Sequence, residues 1–302
     1  MDIPWRGWWD IIKRTFAQAS EDNLGLIAAG VAFYGFLALV PMLGALVLTY
    51  GLVVDPAQIA RHFASLAQTL PGDVARLIAE QLNSLITTST EKKGLGLLIS
   101  LGLALYGGMK GAGAIVTALN IAYEETNKRG LIASSVLNAL ITLGAILLAI
   151  AMMTAASTGQ ALERWLGEVP IYVVPVFKFA AWLFAATLAT GAIAALYRYG
   201  PSRANARWRW LTGGSLVATL GLIASSASFA WYTASVGNYN ATYGSLGAVV
   251  VLLMWLYLSA YVLLLGAELN AEIEHQTAVD STTGLHQPVG AREAVMADEV
   301  AE

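Results

Sequence analysis

At 302 residues the chain has the length of about two soluble domains, yet 57% of its residues are hydrophobic and 12% charged, against roughly 45–50% and about 25% in soluble domains. That balance excludes a soluble protein and asks for a bilayer as solvent. A net charge of −3 advertises no basic surface for nucleic acid, and the lack of cysteine excludes disulfides, thiolate metal sites and a cysteine nucleophile.

At the start, Trp5, Trp8, Trp9, Ile12 and Phe16 recur at three- and four-residue spacing, while Arg6, Asp10, Lys13 and Arg14 fall elsewhere on the helical wheel. This spacing predicts an interfacial amphipathic helix within residues 1–23, lying in the membrane plane with indoles at headgroup depth and cations near lipid phosphates. Membrane lipids are its expected partners. A span needs about 20 mainly apolar residues. Runs with at most one charge place spans at about 24–52, 94–122, 131–157, 171–197, 211–235 and 244–267, the last two divided by the polar stretch 237–244. The expected fold class is therefore all-α, a polytopic membrane protein whose six transmembrane helices form a domain over 24–270. The first run starts too late and is too long for a secretory signal peptide, so it is read as a retained span.

Between spans one and two, the connection 55–93 opens on Asp55-Pro56-Ala57-Gln58, a helix start with Asp as N-cap and Pro at the first helical position. Ile59, Phe63, Leu66 and Leu70 form one apolar stripe. After Pro71-Gly72, Val74, Leu77, Ile78, Leu82, Leu85 and Ile86 form another. Two amphipathic helices, lying on the outer surface or covering the mouth of the bundle, satisfy that pattern. Residues 271–302 are polar, slightly acidic and aperiodic, and are expected to form a disordered tail. If the spans alternate, ten of the seventeen Lys and Arg fall on the face that carries both termini and five on the other. The positive-inside rule then puts both termini in the cytoplasm.

Several blocks of this sequence are recognisable. Ser20-Glu-Asp-Asn-Leu-Gly-Leu-Ile-Ala-Ala-Gly-Val-Ala-Phe-Tyr-Gly-Phe-Leu-Ala-Leu-Val-Pro41 resembles the opening signature of the YihY/virulence factor BrkB family of bacterial inner-membrane proteins. The run from Tyr239 to Ser259, continuing through Gly266-Ala-Glu-Leu-Asn-Ala-Glu272, is similar to the family's closing block. Leu119 to Tyr123, Tyr197 to Pro201, Trp208 and Trp210 resemble it between the two. The resemblance covers about residues 5 to 275 and implies a six-helix inner-membrane protein. It implies no settled reaction: the family's former name, ribonuclease BN, is regarded as a misassignment, and its members are linked loosely to serum resistance and to export of lipid-linked envelope precursors.

The residues themselves give independent reason to set a nuclease aside, because His62, His275 and His286 are scattered and form no ligand set with carboxylates. No phosphate-binding loop or serine elbow is present either, so neither enzyme activity nor a cofactor or metal is expected. A transport reading must rest on intramembrane polar groups. Lys110 lies near the middle of span two in Gly107-Gly-Met-Lys-Gly-Ala-Gly113. There Gly107, Gly108, Gly111 and Gly113 weaken the helix or let another backbone approach. The ammonium either faces a cavity that receives a phosphate or carboxylate head group, or is paired or snorkelling in a packed bundle. Tyr34 and Pro41 of span one are further pathway candidates, Pro41 because it removes a backbone donor and is expected to kink its helix.

Polar candidates at span ends are Asn120, Glu268 and Asn270 on the terminal face and Asn238, Asn240 and Tyr243 on the other. Glu268 and Asn270 are read either as a site for a coupling proton or cation or as solvated groups. Arg198, Arg203, Arg207 and Arg209 beside Trp208 and Trp210 form either a lipid-phosphate site or a positive-inside signal with an aromatic belt. Lys178 is read as an interfacial anchor. The expected function is transport or export of an envelope lipid or anionic amphipathic solute, the alternative being a non-transporting structural or assembly factor for the envelope.

Overall fold

The structure, a computed structural model, describes residues 5–51, 54–68, 70–91, 95–166, 173–235, 246–284 and 286–300. The elements are α1 (Trp5–Glu21), α2 (Leu24–Tyr50), α3 (Pro56–Ala67), α4 (Gly72–Glu91), α5 (Leu95–Ala122), α6 (Leu131–Leu166), α7 (Val173–Tyr199), α8 (Trp208–Ser235), α9 (Gly247–His275) and the single turn α10 (Val295–Asp298). Among the described residues the one β feature is an isolated bridge between Ala206 and Thr282. Five helices, α2, α6, α7, α8 and α9, are long and apolar enough to cross a membrane by length and composition. The 28-residue α5 matches them in length and carries Lys110 as its one charge.

The long helices form a closed ring. In cyclic order α2 neighbours α5, α5 neighbours α6, and α7, α8 and α9 follow, with α9 returning to α2. Two apolar cores are stacked along it. At the end that carries α1 and the tail, Leu24 and Ala28 meet Leu119, Tyr123, Tyr197 and Leu264. At the opposite, cap end, Leu46 and Tyr50 meet Ile59, Phe63, Val74 and Leu82 of α3 and α4, together with Ile146, Phe229 and Leu252. The two amphipathic helices thus cover the mouth of the bundle, and their apolar stripes complete its core. Outward-facing Leu26, Phe33, Leu103, Phe179 and Ile223 are exposed, as a lipid-facing surface requires.

Local signals set the helix ends. Asn23 adopts a left-handed conformation (φ 53°) that turns the chain sharply from α1 into α2. Glu124 does the same after α5 (φ 53°), with the Glu125 N–H donating to the Asn120 carbonyl at 2.7 Å, the closure of a Schellman motif. Helix α1 turns Ile11, Thr15 and Ala19 inward, with Ile11 against Trp210 and Ile273, and leaves Trp9, Ile12 and Phe16 exposed. Its aromatic flank is therefore free for an interface while its other face is packed on the bundle.

The disordered tail expected for 271–302 is not what the structure shows. Helix α9 continues to His275, and the chain beyond it folds back on the terminal end. Arg292, 3% exposed, donates to the carbonyls of Ala278 (2.7 Å), Ala297 (2.7 Å) and Gln287 (3.2 Å). The Val295 N–H donates to the Glu125 carboxylate at 2.9 Å, and that of Arg207 to the Ser281 carbonyl at 2.7 Å. Polar pairing orders this segment where apolar periodicity gives no signal.

Candidate functional site

Gly107, Gly108, Gly111 and Gly113 of α5 face neighbouring helices. A Cβ on Gly107 would lie 2.5 Å from the Pro41 ring, and one on Gly111 would lie 3.0 Å from the Ala38 Cβ and 3.6 Å from the Tyr34 carbonyl, so this edge receives α2. Gly108 and Gly113 receive α6, with Thr142 at 2.6 Å and Asn138 at 3.0 Å. Helix α2 runs unbroken through Pro41, whose ring occupies the notch left by Gly107. The expectation that Lys110 faces a cavity within this glycine segment is corrected by the same geometry. Lys110 is exposed on the outer flank of α5, its Nζ 5.1 Å from the centre of the Tyr106 ring one turn away. Tyr34 is likewise exposed, at 47%. Asn238, Asn240 and Tyr243 lie outside the described residues, and Lys178 is exposed near the start of α7.

The terminal end holds a polar layer. Asn270 is fully buried; its Oδ1 accepts the Gly214 N–H at 2.7 Å and its amide donates to the Leu211 carbonyl at 3.2 Å, tying α9 to α8. Asn120 accepts the Ser202 N–H at 2.8 Å, tying α5 to the connection after α7. These two amides therefore bridge elements. The four arginines do not converge on one site. Arg203 donates from Nη2 alone to both carboxylate oxygens of Glu274, at 2.7 and 2.8 Å, their side chains 1% and 0% exposed, and lies over the Tyr123 ring at 4.7 Å. Arg198 donates to the Ala206 carbonyl and lies 5.3 Å from the Tyr199 ring centre and 5.0 Å from that of Trp208. Arg207 donates to the Thr282 carbonyl at 2.8 Å, and Arg209 lies over Trp210 at 5.7 Å. A lipid-phosphate cluster of all four does not form, because Arg203 is buried against Glu274.

Beside this layer the Glu21–Asn23 turn brings Asp22 against Glu268 of α9. Glu268 is fully buried, and neither of its carboxyl oxygens has a hydrogen-bond partner. Burial pushes the Asp22 carboxyl above the usual carboxylate range, countered in part by its interactions with the Glu268 and Gln18 side chains. Burial, and then the Asp22 charge, also raise Glu124, whose Oε1 accepts the Gln18 amide at 3.0 Å. The neighbouring Glu272 is paired with Arg14 at 2.7 Å.

With this architecture in view, the profile of the virulence factor BrkB family matches residues 15–290. The chain belongs to that family. It is 25% identical over 281 residues to a membrane protein of Idiomarina loihiensis designated UPF0761, spanning 90% of this chain and 95% of that one. It is 29% identical over 269 residues to another UPF0761 membrane protein from Cronobacter sakazakii, covering 87% and 88%. A protein of Bacillus subtilis named as ribonuclease-like, YfkH, is 28% identical over 207 residues, covering 67% of this chain and 74% of that one. No solved structure matches.

Sequence reasoning singled out Glu268 and Asn270 in this BrkB-family chain but missed Asp22 and the pairing of Arg203 with Glu274. Asp22 reads as one polar residue in a turn, and only the left-handed Asn23 beside it shows that the turn is tight enough to press its side chain on α9. The signal for Glu274 was its place in Glu268-x-Asn270-x-Glu272-x-Glu274, polar residues on alternate positions of one helix end. Too many carboxylates gather there to be explained by solvation alone.

Proposed function

We propose that this multi-pass membrane protein of the BrkB family moves an anionic amphipathic solute, with an envelope lipid as the type case, across the bacterial inner membrane, and that both termini lie in the cytoplasm. The observation that supports it is Lys110. Its ammonium is near the middle of α5, about 18 Å from Ala122 at about 1.5 Å per residue, farther than a lysine stem reaches. It lies on the lipid-facing flank and, among the described residues, has no carboxylate paired with it. A charge at that depth costs roughly 2.5–3.5 kcal/mol on insertion scales. An anionic head group passing along α5 would offset that cost, which makes the flank, rather than a central cavity, the proposed route. The basic residues of the terminal end, including Arg14, Lys128, Arg129 and Arg209, support a cytoplasmic placement. The role proposed is that of a carrier, without covalent chemistry, cofactor or nucleic acid.

One observation favours the rival reading of a non-transporting structural or assembly factor: Gly107, Gly108, Gly111 and Gly113 of α5 are filled by neighbouring residues rather than opened onto a passage. Leaflet exchange of fluorescent phosphatidylglycerol in proteoliposomes separates the two. The expected result is acceleration over protein-free vesicles, lost by about tenfold in Lys110→Ala, equivalent to about 1.4 kcal/mol of barrier, and largely kept in Lys110→Arg at equal protein content. Wild-type protein no faster than empty vesicles, or a Lys110→Ala variant as fast as wild type, would sink the transport reading.

A further inference from the structure

The facing carboxyl groups of Asp22 and Glu268 cannot satisfy each other while both are ionised, because each is then only an acceptor. Both Glu268 oxygens and Oδ2 of Asp22 are buried without a hydrogen-bond partner, and each carboxyl group acts directly on the other. One proton resolves the conflict: it turns two repelling acceptors into a charge-assisted O–H···O bond. The surrounding cations lie against other carboxylates, Glu272 and Glu274. Arg14 donates to Glu272 at 2.7 Å and also to the Gln276 side chain, and Arg203 is held by Glu274. His275 lies 3.7 Å from Glu272. The other groups facing the pair add negative charge or none: Glu21 and Gln18 from α1, Tyr123 and Glu124 from the turn after α5, Glu272 from α9, and Glu299 of the tail, which acts on Glu124. Helix α2 carries no charged residue, and the one charge on α8, Arg209, lies over Trp210.

We propose that Asp22 and Glu268 form a single-proton binding site that fastens the α1–α2 elbow to α9. The shared proton docks the elbow; its loss leaves two buried negative charges side by side and drives the Glu21–Asn23 turn, with α1, off the bundle. The site does not depend on the transport reading, since its occupancy is read without any flux. The sign follows from linkage. The docked elbow binds the proton more tightly than the undocked one, so docking is favoured at low pH and weakens as pH rises above the ordinary carboxyl range.

The test uses full-length protein in nanodiscs. Infrared difference spectroscopy should show a protonated carboxyl C=O band at neutral pH that disappears on alkalinisation and is absent from Glu268→Gln. Amide exchange over residues 16–26, expressed relative to the intrinsic rate at each pH, should lose protection by about tenfold per pH unit above pH about 4 until the pair is ionised, the slope of one-proton linkage. Glu268→Gln, whose amide mimics the protonated partner, should stay protected throughout. The wild-type titration stands alone if the variant folds poorly. Absence of the band at neutral pH, a band that survives in Glu268→Gln, or a wild-type elbow whose protection ignores pH overturns the proposal. So does protection that follows sodium or potassium concentration at fixed pH, which would make the ligand a cation.

Discussion

Gly214→Ala offers a quantitative test of the crossing that holds the polar layer together. The new Cβ would lie 2.5 Å from the Asn270 Cγ and 2.6 Å from its Oδ1, and would also strike the Gly266 carbonyl. That is about 1 Å short of carbon–carbon contact. The obstacle is backbone on one side and, on the other, a fully buried side chain with two hydrogen bonds, so no flexible group can swing away. Separating α8 from α9 by about 1 Å would stretch the 2.7 Å Gly214–Asn270 bond beyond hydrogen-bonding range. Overpacking costs roughly 1–3 kcal/mol, and hydrogen bonds between membrane helices contribute about 0.6 and at most about 1.7 kcal/mol each. The expected loss is therefore about 2–5 kcal/mol. Equilibrium unfolding in mixed detergent micelles, followed by tryptophan fluorescence, measures it against Gly144→Ala, where nothing lies within 4 Å of the added methyl. If the Gly214 variant unfolds within about 0.5 kcal/mol of that control, the close approach of α8 and α9 is wrong.

Two further outcomes follow from the packing. Burial of Asp280 would raise its carboxyl, but the Thr282 hydroxyl, the Gln287 and Thr282 N–H groups and Arg292 outweigh that and bring it to about 2. A depressed folded value stabilises above the unfolded value and is lost as pH falls through the folded one. Tail docking should thus weaken between pH about 4 and 2, by about 1–2 kcal/mol with allowance for nearby solvent. Limited pepsin digestion of 277–300 across that range, compared with Asp280→Asn, checks it; a tail cut equally at pH 2 and pH 5 would contradict the sign. Gly107→Ala should destabilise by about 1–3 kcal/mol against the rigid Pro41 ring, and Pro41→Ala in the same chain should restore most of the loss. Additive effects in that double-mutant cycle would show that the two residues do not touch.

The helices were legible because each long run buries or faces lipid over its whole length, and the first span, expected at 24–52, ends at Tyr50. The last span extends past its expected end because Glu268, Asn270, Glu272 and Glu274 were counted as leaving the membrane, whereas each is buried in the structure. Lys110 was misplaced for a geometric reason open to correction from sequence alone. Gly107 and Gly111 are one turn apart on one edge, and Tyr106 and Lys110 are one turn apart on another. The folded tail and the Asp22–Glu268 contact were not legible, because each rests on pairings between residues far apart in sequence that no periodicity records.

The two stacked cores leave a waist between them. On the facing edges of α2 and α5 the close approach there is made by Ala38 and Gly111, with Ala32 and Ala112 also small and buried. Few methylene groups interlock there, so sliding or tilting of α2 on α5 sacrifices less contact at the waist than at either core. The Pro41 ring, seated in the Gly107 notch, then acts as a detent that sets the compliance of this pivot and the register to which the two halves return.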